Sequence, residues 1–296
     1  MTSNSALSTQ YSISPNGESF PLPKPEDYDK EFKRLQKLVV KHRKEGREIV
    51  VVMGVGFVGA VMAGIVADSV DKATGKPGKF VIGMQRPSPR SYWKIPLLNK
   101  GVAPVEAEDP EVALMIARCV LEKKTLTATY TYDALCLADV IVVGIGGHDA
   151  ASCPPIPKET LGDCRKGHAE IAALEESLKV LGEKIQPHCL VLIETTVPTG
   201  TTENVAYPNL KKAFERRFSS PDPSALSAQS SALSPDPLST QHSALSPEPL
   251  LAHSYERVMP GREYVASIRD FWRVCSGINE PAKEKVVKFL SGGIGG

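Results

Sequence analysis

The chain has 296 residues, 42% of them hydrophobic and 23% charged, with a net charge of +1. That length permits a sizeable buried core in one large or two small domains, and the even charge balance excludes a general pull toward nucleic acid or an anionic membrane surface. No apolar run is long enough to cross a bilayer, the N-terminus lacks the basic start and apolar stretch of a secretory signal, and the six cysteines have no paired spacing. These features lead us to expect a soluble, cytoplasmic protein with reduced thiols and with no nucleic-acid or membrane partner.

Residues 1–25 are rich in Ser, Pro and Asn and are expected to be disordered. From Glu26 to Glu45 the spacing of Tyr28, Phe32, Leu35 and Val39 predicts an amphipathic helix stopped by Gly46, packing on a sheet edge. Its cationic end, with Lys41, Arg43 and Lys44, reads as a solvated last turn. The run Ile49–Met53 reads as a buried parallel strand. It leads directly into Gly54-Val55-Gly56-Phe57-Val58-Gly59 and then a small-residue helix from Phe57 to Asp68.

Strand, G-x-G-x-x-G turn and helix in that order are the context a dinucleotide-binding turn needs. Gly54 permits the tight turn, Gly56 lets the backbone approach a pyrophosphate, and Gly59 lets helix pack on strand. The pyrophosphate would lie on the helix N-terminus. The bland alternative is an ordinary strand–turn–helix connection.

Phe80–Met84 is the second predicted strand. At its end an NAD site usually carries an acidic residue on the ribose hydroxyls, whereas this chain has Gln85 and Arg86. An arginine there can meet a 2′-phosphate, so NADP stands as the alternative cofactor. Lys94–Gly101 reads as a loop. Asp109 and Pro110 read as the cap and first turn of a helix running to about Lys123. Strands are then predicted at Thr125–Tyr130, Asp139–Ile145 and Cys189–Glu194, with helices at Tyr132–Leu137, at Ala169–Ile185 and from Thr202 to about Arg217. Trp272–Ser276 is expected as a last strand and Pro281–Leu290 as a last helix.

The alternation implies an α/β fold with a doubly wound, Rossmann-like parallel sheet. Residues 219–249 repeat the phrase SALS and are dense in Ser and Pro, so they are expected to form a disordered low-complexity insert. The dinucleotide-binding domain is thus expected over 26–218 and 250–290, with a Gly-rich tail at 291–296. His148, Cys153, Cys164 and His168 fit no zinc spacing well, and no metal site is expected.

Five stretches together resemble the UDP-glucose/GDP-mannose dehydrogenase family, including its UDP-N-acetylmannosamine dehydrogenases. They are GVGFVG at Gly54, NKGVAPVE at Asn99–Glu106, TATYTYDALCLADVIVV at Thr127–Val143, ETTVPTGTT at Glu194–Thr202 and SYERVMPG at Ser254–Gly261. The resemblance implies an NAD-dependent oxidoreductase of polysaccharide biosynthesis, which oxidises the C6 alcohol of a UDP- or GDP-sugar to a carboxylate in two hydride transfers. It also implies homo-oligomers.

By the same resemblance Gly54, Gly56, Phe57, Val58 and Gly59 hold the pyrophosphate, Gln85 takes the ribose position with Arg86 next to it in the chain, and Thr196 and Glu256 stand by the reacting centre. Tyr255 replaces the family's usual proline, Gln85 its ribose aspartate, and Gly146-Gly147-His148 a Thr-Pro or acidic turn. The family's covalent thiol and its base-binding domain match nothing in the chain, and Cys275 reads as a core thiol. The chain is therefore expected to bind cofactor without completing turnover alone. A non-catalytic dinucleotide-binding module is the competing reading.

Overall fold

The computed structural model describes residues 10–144, 172–218, 247–255, 258, 259 and 261–292. A hairpin, β1 (Tyr11–Ile13) and β2 (Ser19–Pro21), leads into helix α1 (Pro25–Lys44). Then come β3 (Glu48–Met53), α2 (Phe57–Asp68), β4 (Lys79–Met84), α3 (Lys94–Asn99), α4 (Pro110–Ala117) and β5 (Leu126–Thr129). A 3-10 turn (Tyr132–Leu137), β6 (Val140–Val143), α5 (Ala172–Lys184), β7 (Leu190–Ile193) and α6 (Tyr207–Phe218) follow. Past the insert lie β8 (Leu250–His253), α7 (Tyr264–Asp270), β9 (Ser276–Gly277) and α8 (Glu280–Ser291).

Seven strands form one sheet in the order β5-β4-β3-β6-β7-β8-β9, parallel throughout except for the antiparallel pair β8–β9. The chain winds outward from β3 to β5, returns, and winds the other way from β6. The carboxyl ends of β3 and β6 therefore flank the switch point where such sheets open a crevice. Alternate residues of each strand feed opposite layers. Val50 and Val52 pack with α2, α4, α7 and α8, while Ile49, Val51 and Met53 pack with α1, α5 and α6. Burial on both faces explains why the strands read as unbroken apolar runs.

Several expectations need correction. The segment 10–25 is ordered, with Ser12 buried and bonded to Pro89 O (2.8 Å) and to the Trp93 N–H (3.1 Å). Pro15-Asn16-Gly17 is a hairpin turn, with Gly17 at φ +83°, inside polar composition that looked featureless. Residues 1–9 lie outside the described residues, as does nearly all of the 219–249 insert. Lys94–Asn99 is helical, because Pro96 sits in a first turn where no N–H is needed.

Helix α1 reaches the edge strand through its N-terminal half, where Glu31 meets Thr129 and Arg34 meets Thr127 and Ala128. Leu35 and Val39 cover the sheet face over β3 and β4. Its last turn is not merely solvated, since Arg43 bonds to Asp139 (3.0 Å) and to Leu137 O (3.0 Å). The last strand is two residues only. Trp272 and Val274 stay exposed, and Arg273 turns inward off the ladder.

His42 lies buried on α1, stacked on Phe80 at 3.8 Å between centroids. Arg47 donates to its Nδ1 (2.7 Å). Arginine has only donors, so Nδ1 accepts and the ring is neutral, despite Glu45 standing 3.7 Å away. Burial foremost, then the charges of Arg47 and Lys41, hold its pKa down at about 4, with Glu45 opposing. The unfolded chain takes this proton near pH 6.5 and the folded one only near 4, so His42 stabilises the fold above pH 6.5 and that contribution is lost as pH falls toward 4. Melting curves across this window should show a loss on the order of 2 kcal/mol, and His42→Phe should flatten it.

Candidate functional site

The glycine turn joins the carboxyl end of β3 to the start of α2. Gly54 takes φ +90°, a conformation L side chains avoid, and its N–H bonds to Met84 O at 2.7 Å. At Gly59 an added Cβ would fall 1.9 Å from Gly54 O, so only glycine lets α2 approach its own turn. At Gly56 an added Cβ would meet no protein atom within 4 Å. Gly56 is the N-cap and brings no side chain to the cap. The helical ladder begins with Ala60 N–H to Gly56 O at 3.0 Å, so the N–H groups of Phe57, Val58 and Gly59 precede its first donor. Open space above Gly56, together with these donors and the positive end of the helix dipole, fits the pyrophosphate of a dinucleotide.

Tyr264 of α7 supports the turn from below. Fully buried, it stacks on Phe57 at 4.9 Å and donates to Phe57 O at 2.9 Å. Asp109 fixes α7 in turn. One carboxylate oxygen caps α4 through the Glu111 N–H (2.9 Å), as predicted, and the other caps α7 through the Val265 N–H (2.9 Å).

Gln85 and Arg86 leave the end of β4 and share a cleft of about 540 Å³ with Gly54, Tyr28, Tyr132 and Glu176. Gln85 Oε1 accepts the Val55 N–H at 3.0 Å, which ties the end of β4 to the glycine turn. Gly83 makes room for this, since a Cβ there would lie 2.7 Å from Val55 Cγ1. A groove of similar size, about 550 Å³, lies between Pro21–Lys24, α1 and Tyr92. It shares Tyr130 with the cleft but holds none of the predicted site residues, so the chemistry points to the cleft.

Thr196 lies exposed three residues past β7, outside this cleft. Glu256 lies outside the described residues, as do Gly146-Gly147-His148 and the four candidate metal ligands. Among the described residues no group of His, Cys, Asp and Glu side chains could hold a metal, and no helix is long and apolar enough to cross a membrane. Cys275 is half-buried against the α2 layer.

Sequence reading missed the ion pair at the carboxyl end of β7. Glu194 and Arg273 are both almost wholly buried there and bonded to each other, and Arg273 Nη2 also reaches Ile268 O at 3.1 Å. Beside them Ser254 Oγ and Arg273 Nε are buried with no hydrogen-bond partner among the described residues. A carboxylate directly after an apolar strand was the available signal for Glu194. Arg273 lies 79 residues away in sequence, and no spacing connects the two.

Among solved structures the chain is similar to NDP-N-acetyl-D-galactosaminuronic acid dehydrogenase from Methanosarcina mazei (24% identity, 88% of this chain and 45% of that one, TM-score 0.60). It is also similar to UDP-D-ManNAc dehydrogenase from Pyrococcus horikoshii (20%, 83% and 45%, TM-score 0.55) and to GDP-mannose dehydrogenase from Pseudomonas aeruginosa (19%, 83% and 44%, TM-score 0.55). At such identities the likeness is one of fold, and the chain spans less than half the length of each of these proteins. No curated protein sequence matches it. The family model described as UDP-glucose/GDP-mannose dehydrogenase family, NAD binding domain, matches residues 48–227, more than half the chain. With the glycine turn, the parallel sheet and this match in agreement, the chain belongs to the UDP-glucose/GDP-mannose dehydrogenase family and carries its NAD-binding domain.

Proposed function

We propose that the chain is the cofactor-binding part of a nucleotide-sugar 6-dehydrogenase, acting on a UDP- or GDP-sugar in polysaccharide biosynthesis in the cytoplasm. The observation that carries this reading is the Gly54–Gly59 turn, closed against α2 at Gly59 and open at Gly56, within a family match over 48–227. In this reading the N–H groups of Phe57 and Val58 hold the pyrophosphate, Gln85 and Arg86 meet the adenosine ribose, and Thr196 and Glu256 stand at the nicotinamide end. NAD would supply the hydride acceptor. The chain's own part is to fix the cofactor's position, which provides much of the rate in such transfers.

Taking an alcohol to a carboxylate removes two hydrides, and a thiolate that traps the aldehyde makes the second departure feasible. Burial pushes the thiol of Cys119 up to about 12 and that of Cys136 up to about 11, and it raises the fully buried Cys189 further. Thiols held so high are poor nucleophiles at neutral pH. We therefore propose that none of these three serves. No cysteine of the chain matches the position of the family's thiol, so we also propose that this polypeptide alone does not complete turnover.

Calorimetry with NAD tests the placement. A Gly56→Val protein should melt close to the parent, because the new side chain enters open space, yet bind NAD at least about tenfold more weakly. Equal affinity in the two proteins would remove the reading. Sustained NADH formation by this polypeptide with UDP-glucose, GDP-mannose or UDP-N-acetylmannosamine would overturn the inactivity.

A further inference from the structure

We infer that the ribose subsite of this chain accepts a 2′-phosphate held by Arg86, so that NADP binds at least as tightly as NAD. The inference rests on the cofactor placement proposed above and concerns its adenosine end. Discrimination against NADP comes from a carboxylate at the end of the second strand of the unit, which bonds the ribose hydroxyls and repels the phosphate. Here that position is Gln85. Its Oε1 is already committed to the Val55 N–H at 3.0 Å, and its NH2 group makes no hydrogen bond among the described residues. The strand end thus offers donors and no negative charge.

Arg86 follows directly and lines the same cleft. Its side chain is 69% exposed, and its ionic partner Glu176 stands 4.0 Å away and is itself 74% exposed. An open pair at that distance contributes little and is easily exchanged. A phosphate monoester carries more charge than a carboxylate and matches the guanidinium fork with two hydrogen bonds, so it should displace Glu176. Among the described residues the other titratable groups lining the cleft are Tyr28, Tyr130 and Tyr132. Burial raises the pKa of each, so they stay neutral and repel no phosphate. Among the described residues Glu176 is the one acidic side chain lining the cleft. The loop is also braced, since Ser91 Oγ donates to Arg86 O (3.1 Å) and pairs with Ser88 Oγ (2.7 Å). The simpler role for Arg86 is that of a solvated loop cation tethered to Glu176, which would leave NAD and NADP unaffected by its removal.

Isothermal titration with NAD and with NADP separates the two roles. The parent protein should bind NADP at least as tightly as NAD. Arg86→Ala should weaken NADP about tenfold or more beyond whatever it costs NAD. Gln85→Asp should reverse the preference toward NAD. Both side chains sit at the cleft rim, so neither change disturbs the core. Tighter NAD than NADP binding by the parent, or equal weakening of both cofactors in Arg86→Ala, would overturn the inference while leaving the dinucleotide site in place. Binding of neither cofactor would overturn the site itself, and the inference with it.

Discussion

Alanine at position 59 should lower stability by about 3 kcal/mol or more and remove NAD binding together with it. The added methyl would sit 1.9 Å from Gly54 O and 3.0 Å from Gly54 C. Both are backbone atoms of a turn already in a conformation that only glycine adopts easily, so neither can rotate aside. Helix α2 would have to lift from β3, opening the layer that contains Val52, Val61 and Val66. For a chain of this size the melting temperature should fall by roughly 6–12 °C. Gly64→Ala is the matched control. Its methyl would approach Met115 Cε at 2.6 Å, the far end of a flexible side chain that can swing away, so the loss should be much smaller. Equal melting of the Gly59→Ala and parent proteins would mean that α2 and the turn are not in contact.

Arg273→Met should be comparably damaging, by about 3–5 kcal/mol, because it leaves the buried Glu194 carboxylate without its guanidinium. Taking a charge out of water is costly, and the pair is tolerated because each member answers the other. Replacing both residues at once, as in Glu194→Leu with Arg273→Met, should recover most of the loss. A double-mutant cycle by chemical denaturation measures this directly. A double variant as unstable as the sum of the single changes would show that the two side chains act independently.

Much of the architecture was legible because its signals are local. The valine-rich strand at 49–53, the glycine turn and the Asp109-Pro110 helix start each declare themselves within a few residues, and each stands where it was expected. The hairpin at 11–21 was missed because composition was weighed above its Asn16-Gly17 turn. The Glu194–Arg273 pair and the second cap made by Asp109 were invisible for a different reason. They join residues 79 and 156 apart, and nothing in the sequence marks such distant partners. Gln85 is intermediate between these cases. Its departure from an acidic residue was plain in sequence, but its bond to Val55 appears only once β3 and β4 lie side by side.

The sheet order also sets a timetable for making the protein. Strand β3 lies inside the sheet, third of seven, yet is synthesised early, and its neighbour β6 pairs with it at Val50–Val140, about 90 residues later. At ribosomal speeds that gap lasts roughly 5–20 s. Throughout it, one edge of a strand reading Ile-Val-Val-Val-Met has no partner of its own chain. Such an edge invites pairing with other nascent chains, so a strand buried inside the finished sheet is vulnerable during birth. Slower translation or faster expression should therefore raise the aggregated fraction, and chaperones that shield apolar segments as they leave the ribosome should reduce it.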